Sequence, residues 1–242
     1  MTVTGSARTD KKQNFGGDQM EILRAEHVSY SYQTKYQKVE AVRDVSCVFE
    51  QGGFYAIVGE SGSGKSTFLS LLAGLDVPSE GTIYVQGRSL GDMDRDAYRL
   101  NQASVVYQSF HLFPLLTAQE NVMLPMEFKK VKKREASERA KQLLERVGLK
   151  PGILKQFPKM MSGGEQQRVA IARAVAAGGE IILADEPTGN LDSENEKKIV
   201  ALLKELAHED GYTVIVITHN PGVAKETDHV YRMKDGALSQ ER

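Results

Sequence analysis

The chain contains no tryptophan and a single cysteine, Cys47, among its 242 residues. One thiol excludes an internal disulfide and a structural zinc cluster, which suits a reducing compartment. Cys47 lies between Ser46 and Val48 in a strand-like stretch, where a small apolar side chain is expected to pack rather than react. No run of about 18 apolar residues is present, so no membrane-spanning helix is expected, and the N-terminus lacks the apolar stretch of a signal peptide. A soluble, intracellular chain is the expectation. Neither sign of charge is in excess: 31 Lys and Arg against 32 Asp and Glu leave a net of −1, which argues against a protein built to clamp nucleic-acid phosphates. What is present is ordinary globular material, 40% hydrophobic and 26% charged, in a length that fits one large domain or one domain with an insertion.

Residues 1–19 are polar and nearly without aliphatic side chains, and are expected to form a disordered tail ahead of a domain over 20–242. Glu21 to Ser31 and Ala41 to Phe49 read as strands of an antiparallel layer. Phe54 to Val58 is a short buried strand, followed by a glycine-rich turn and an apolar helical run, Ser66 to Leu75. A helical insertion is expected over about 109–168; within it Ala136, Ala140, Leu143, Leu144 and Val147 share one helix face. Two further apolar runs, Ile181 to Ala184 and Thr213 to Ile217, flank an amphipathic helix over Glu194 to Ala207, a β-α-β pattern. Val230 to Met233 and Ala237-Leu238, joined through Asp235-Gly236, read as a terminal hairpin.

The chemistry begins with Gly59-Glu60-Ser61-Gly62-Ser63-Gly64-Lys65-Ser66, with Thr67 next. This fits G-x-x-x-x-G-K-[ST] and falls between a strand and a helix, the context that gives the pattern meaning. Glycines let successive backbone N–H groups turn inward as an anion nest, and the helix N-terminus adds its dipole. Lys65 would reach the β and γ phosphates of a nucleotide, and the Ser66 hydroxyl is a hard oxygen ligand for Mg²⁺. Asp185 and Glu186 sit at the carboxyl end of a buried strand, the edge where α/β sheets bind ligands. Asp185 suits the magnesium shell, and Glu186 suits a general base acting on water. Ser162-Gly163-Gly164-Glu165 opens another apolar helix as a capping box. Its glycines also make a second anion surface, one without a lysine of its own, which invites a nucleotide held by another chain.

With the phosphate loop before it and Asp185-Glu186 after it, the stretch Met160 to Arg168 resembles the signature motif of ATP-binding-cassette (ABC) ATPases. The resemblance implies an α/β fold: a P-loop NTPase core (RecA-like) with an antiparallel β subdomain and an inserted α-helical subdomain. It implies ATP and Mg²⁺ as cofactors, with Tyr32 stacking on adenine, Gln108 at the magnesium or the attacking water, and His219 at the γ phosphate. Asn190-Leu191-Asp192 resembles the segment that crosses to the opposite subunit, while Ser162 and Gly164 would cap the partner's γ phosphate. Two positions depart from the family's pattern: Met161 replaces the usual leucine and Glu165 the usual glutamine. Held in the capping box, Glu165 would direct its charge back to the helix start, so activity is expected to survive.

The stretches Asn121 to Pro125, Pro187 to Ser193 and Thr218 to Pro221 resemble the branch of lipoprotein-releasing, macrolide-exporting, cell-division and antimicrobial-peptide-exporting ATPases. Membership there implies a second ATPase subunit, integral-membrane permease subunits on separate chains docking near Gln108 to Leu116, and no nucleic acid. It places the chain at the cytoplasmic face of the cell membrane. The competing expectation is a soluble ABC module acting as a nucleotide-switched binding protein, which usually carries two cassettes or added nucleic-acid domains.

Overall fold

Alternation of apolar and polar residues sets the first layer. In a computed structural model describing residues 20–33 and 37–241, β1 (Glu21–Gln33) pairs antiparallel with β2 (Lys38–Glu50). Val45, Cys47 and Phe49 of β2 are buried at period two, as a half-covered sheet requires. Both strands run beyond the apolar stretches because polar residues at their ends still pair through the backbone, Tyr32 opposite Val39 and Gln33 opposite Lys38. The disordered tail expected over residues 1–19 lies outside the described residues.

Every residue of β3 (Phe54–Val58) is buried. The phosphate loop and α1 (Lys65–Leu72) follow, then β4 (Glu80–Val85) and β5 (Arg88–Ser89), which complete a four-stranded sheet ordered β2-β1-β4-β5. After α2 (Arg95–Asn101) comes β6 (Ala103–Tyr107). Three helices then separate β6 from the next strand: α3 (Ala118–Phe128), α4 (Lys133–Arg146) and α5 (Gly163–Ala176). Of the face expected on α4, Ala136, Ala140, Leu144 and Val147 are buried, and Leu143 is partly buried against the same core. The chain closes through β7 (Ile181–Asp185), α6 (Ser193–His208), β8 (Thr213–Thr218), α7 (Pro221–Lys225), β9 (His229–Lys234) and β10 (Ala237–Gln240).

The second sheet has the order β10-β9-β3-β8-β7-β6. All its pairings are parallel except the terminal hairpin β9–β10, so it is buried on both faces. Ile181 and Leu183 of β7 and Ile215 and Ile217 of β8 face the antiparallel layer and α1. Their neighbours Ile182, Ala184, Val214 and Val216 face the helices α3 to α6. At roughly 1.5–3 kcal/mol for each fully buried aliphatic side chain, these two faces hold the parallel sheet between its layers. Cys47 lies within the β-side core, and burial pushes its thiol pKa far up, which leaves it inert at neutral pH.

Candidate functional site

Four parallel neighbours, β3, β8, β7 and β6, end at one edge of the sheet. Val58 is registered with Thr218, and Asp185 with both Ile217 and Tyr107. The residues that follow these ends therefore meet. Tyr32, Ser61, Gly62, Gly64, Lys65, Ser66, Thr67, Gln108, Asp185, Glu186 and His219 all line one open cleft of about 870 Å³.

The loop from Gly59 to Ser66 is shaped by close backbone approaches. A Cβ on Gly59 would lie 2.2 Å from the Met233 carbonyl oxygen, and one on Gly64, whose φ is +104°, would lie 2.1 Å from that of Ala41. Glycine is the residue that tolerates both demands. Ser63 accepts at its carbonyl from the Gly236 N–H at 3.0 Å, which ties the terminal hairpin to the loop. Lys65 donates to the carbonyls of Gly59 and Glu60 at 2.9 and 2.7 Å. Its ammonium is thus held inside the loop, at the end of α1 where a phosphate would gain from both charge and dipole.

Ser66 Oγ donates to Asp185 Oδ1 at 3.2 Å. Burial, with the nearby Glu186 charge adding, pushes the Asp185 carboxyl above its usual range, so a cation at this point would relieve an unfavourable anion. The available donors here, Ser66 Oγ, the Asp185 carboxylate and the Gln108 amide oxygen, are all hard oxygens. Among the described residues no cluster of three or more His, Cys, Asp or Glu side chains is able to hold a metal. That donor set fits Mg²⁺, which keeps several waters and takes substrate phosphates as ligands instead of a full protein cage.

Glu186 leaves β7 in a left-handed conformation, φ +48°, pinned by its N–H to the Ile217 carbonyl at 2.9 Å. His219 Nδ1 lies 2.8 Å from Glu186 Oε1. An ionised carboxylate can only accept, so Nδ1 carries the hydrogen. Tyr32 is 45% exposed; its hydroxyl meets Thr67 Oγ1 at 3.1 Å, which sets an open aromatic face beside the phosphate loop.

The remaining expected residues lie off this cleft. Ser162 caps α5 in a complete capping box: its N–H and hydroxyl donate to Glu165 Oε2 at 2.8 and 2.9 Å, and its hydroxyl accepts from the Glu165 N–H at 3.3 Å. Gly163 abuts Leu191, whose Cδ2 lies 3.4 Å from its Cβ position, and Gly164 leaves room for Asn195, whose Oδ1 lies 2.4 Å from its own. Asp192 caps α6 through the N–H groups of Glu194 and Asn195, and the bonds from Asn195 hold its carboxyl below the usual range.

Sequence reasoning did not single out Arg173. From α5 its guanidinium donates to the carbonyls of His111 and Phe110 at 2.7 and 3.1 Å. Those two residues are consecutive and left-handed, φ +46° and +61°, a conformation that persists in non-glycine residues only when its surroundings hold it. Nothing in the local sequence marks Arg173, because its partners are 62 and 63 residues away. Ala41 of β2 and Gly236 of the terminal hairpin, which press on the loop, were equally invisible; the Asp235-Gly236 turn signal located the hairpin but not what it packs against.

A parallel sheet whose carboxyl edge carries a phosphate loop, an Asp-Glu pair and a histidine defines a nucleotide-binding cassette. The sequence profile described as ABC transporter matches residues 42–189, more than half of the chain, which therefore belongs to the ABC transporter family. The chain is 44% identical over 223 residues to the lipoprotein-releasing system ATP-binding protein LolD of Saccharophagus degradans, covering 91% of this chain and 97% of that protein. It is 43% identical over 220 residues to the macrolide export ATP-binding/permease protein MacB 1 of Yersinia pestis bv. Antiqua, but spans only 34% of that protein's length. Among solved structures, the dimeric post-hydrolysis form of the ATP-binding cassette MJ0796 bound to ADP and Pi matches with a TM-score of 0.85 at 40% identity, over 91% of this chain and 98% of that one.

Proposed function

We propose that this chain is the ATP-binding and ATP-hydrolysing subunit of a bacterial ABC transporter, closing as a dimer on two Mg-ATP to drive integral-membrane permease subunits. The observation that carries this reading is the gathering of Lys65, Ser66, Asp185, Glu186 and His219 around one cleft.

In that cleft the loop N–H groups and Lys65 hold the β and γ phosphates, and Tyr32 offers its ring to adenine. Ser66, Asp185 and Gln108 would hold Mg²⁺, which when bound neutralises charge on the phosphate oxygens. Glu186 takes a proton from water as the water oxygen bonds to the γ phosphorus; the bond from that phosphorus to the β–γ bridging oxygen breaks, giving ADP and phosphate. His219 keeps the Glu186 carboxylate aimed. Ser162 to Glu165 and Asp192 lie away from this chain's own cleft, which supports their service to a nucleotide held by a second copy. The dimeric cassette relative supports the same arrangement.

No helix among the described residues is long and apolar enough to cross a membrane. The kinship to LolD, matched over 97% of its length, supports permeases on separate chains and a peripheral place at the cytoplasmic face. The permease would dock in the apolar cleft of about 250 Å³ lined by Leu75, Phe113, Leu124, Pro125 and Phe128, where Phe113 and Phe128 stand 50% and 65% exposed. The names of the relatives favour export or release of a lipoprotein, peptide or drug-like cargo.

Phosphate release by the purified chain tests this reading. Release that depends on Mg²⁺ and is lost in Lys65→Ala supports it, and an inert natural chain removes it.

A further inference from the structure

Gln108 and Asn190, 82 positions apart, are joined by two hydrogen bonds. Gln108 Nε2 donates to Asn190 Oδ1 at 3.2 Å, and Asn190 Nδ2 donates to the backbone carbonyl of Gln108 at 3.2 Å. We propose that Asn190 is a positioning residue that fixes the Gln108 carboxamide with its oxygen turned toward the cation site of the cleft. The proposal deepens the Mg-ATP reading above and rests on it.

The orientation follows from the hydrogen-bonding inventory. A carbonyl oxygen only accepts, so the Asn190 atom facing the Gln108 carbonyl must be its NH₂. The other arm of that same planar amide is then Oδ1, an acceptor, and the Gln108 atom facing it must in turn be NH₂. Gln108 Oε1 is left on the arm pointing away from Asn190.

A second observation agrees. A Cβ on Gly189 would meet Gln108 Nε2 at 2.7 Å and Cδ at 3.1 Å. The missing side chain is what lets the amide nitrogen settle against this turn, and Oε1 is farther from it than Nε2, Cδ or Cγ. Gly189 and Asn190 together form a seat for the nitrogen end of Gln108.

The seat matters because Mg²⁺ accepts oxygen ligands and not an amide NH₂. An unrestrained glutamine would present either end to the cleft. Among the described residues both hydrogen bonds of the Asn190 side chain go to Gln108, which ties the residue to the glutamine. Gln108 lines the cleft with Ser66 and Asp185, and the seat prepares its oxygen to join them.

The test uses the full chain. In the nucleotide-free protein, the side-chain NH₂ signals of Gln108, assigned by their loss in Gln108→Glu, should move in Asn190→Ala toward those of a free glutamine. Unmoved signals overturn the seat. Binding of a fluorescent ATP analogue is then measured against Mg²⁺ concentration. Asn190→Ala should raise the Mg²⁺ needed for half-maximal enhancement about fivefold, the effect of one net hydrogen bond, and leave metal-free binding unchanged. The same substitution made in a Gln108→Ala background should add nothing; an additive effect, or an unchanged Mg²⁺ requirement, overturns the proposal. Asn190→Asp, which keeps the acceptor but loses the donor, should shift the requirement in the same direction and serves if the alanine variant does not fold. A natural chain with no Mg²⁺-dependent binding would remove the Mg-ATP reading, whereas the spectra decide the seat without it.

Discussion

Nδ1 of His219 lies 2.8 Å from Oε1 of Glu186, and the backbone N–H of the same histidine points at Oε2 from 3.4 Å. The residue after β8 thus holds both oxygens of the carboxylate that follows β7. Parallel pairing of Asp185 with Ile217 brings the two strand ends side by side, and the left-handed turn at Glu186 aims its side chain across the gap. His219 thus fixes the orientation of the Glu186 carboxylate.

Removing the imidazole should leave Glu186 in place chemically but unaimed. His219→Ala is expected to lower kcat by about 10²-fold, the lower end of the range for general-base catalysis, with little change in nucleotide affinity. Steady-state phosphate release with a parallel binding titration checks the split; an equal loss in both would point to a binding role instead.

Glu165 offers a second prediction because its charge is already engaged. Its carboxylate accepts from the Ser162 N–H and hydroxyl, and a glutamine at the same place also satisfies a capping box. Glu165→Gln should hydrolyse ATP within about threefold of the natural chain, since the helix start is preserved. A dead natural chain revived by this change would contradict the account.

Gly59 is constrained by more than a movable side chain: beside the Ser63 hydroxyl oxygen, 2.8 Å from where its Cβ would be, stands main chain that cannot rotate away. A Cβ there would lie 2.2 Å from the Met233 carbonyl oxygen and 3.2 Å from its carbon, so β9 or the loop must shift. Overpacking of this kind costs about 1–3 kcal/mol, and Gly59→Ala should lower both Tm and ATP affinity, read by thermal melts and a binding titration. An unchanged pair of values would show the loop to be looser than its contacts imply.

Acid should weaken α3 through its cap. The Thr117 N–H and hydroxyl donate to Glu120 Oε2 at 2.9 and 2.7 Å, and hold its carboxyl below the ordinary 4.5. A carboxyl depressed by folding contributes its stabilisation in full above its unfolded pKa and loses it as pH falls through the folded one. The Tm of Glu120→Ala should lie below that of the natural chain at neutral pH, with the gap closing only below about pH 4.5. A gap that is constant across the acid range would remove the capping explanation.

The site was legible in the sequence where short-range pattern carries the geometry. The phosphate loop, Asp185-Glu186 and the Ser162–Glu165 box are contiguous, and β3, β7 and β8 announce themselves as uniformly apolar runs. β6 did not: it is an edge strand of five residues, Ala-Ser-Val-Val-Tyr, with only Ala103 and Val106 buried, too short and too irregular in its burial to show a period. α3 was hidden by Pro125 inside it, a residue that normally argues against a helix interior. What no local pattern holds is the long-range fastening. Arg173 on the carbonyls of Phe110 and His111, Asn190 on Gln108, and Ala41 and Gly236 against the phosphate loop exist only once the chain has folded.

The central claim is that Glu186 takes the proton in ATP hydrolysis while the rest of the cleft binds the nucleotide, and Glu186→Gln separates the two. The amide keeps the size and shape of the side chain but has no basic oxygen. Phosphate release measured beside size-exclusion of the Mg-ATP complex should show turnover lowered by about 10²–10⁴-fold, with ATP still bound and an ATP-loaded dimer accumulating. Turnover at the natural rate in that variant would contradict the account.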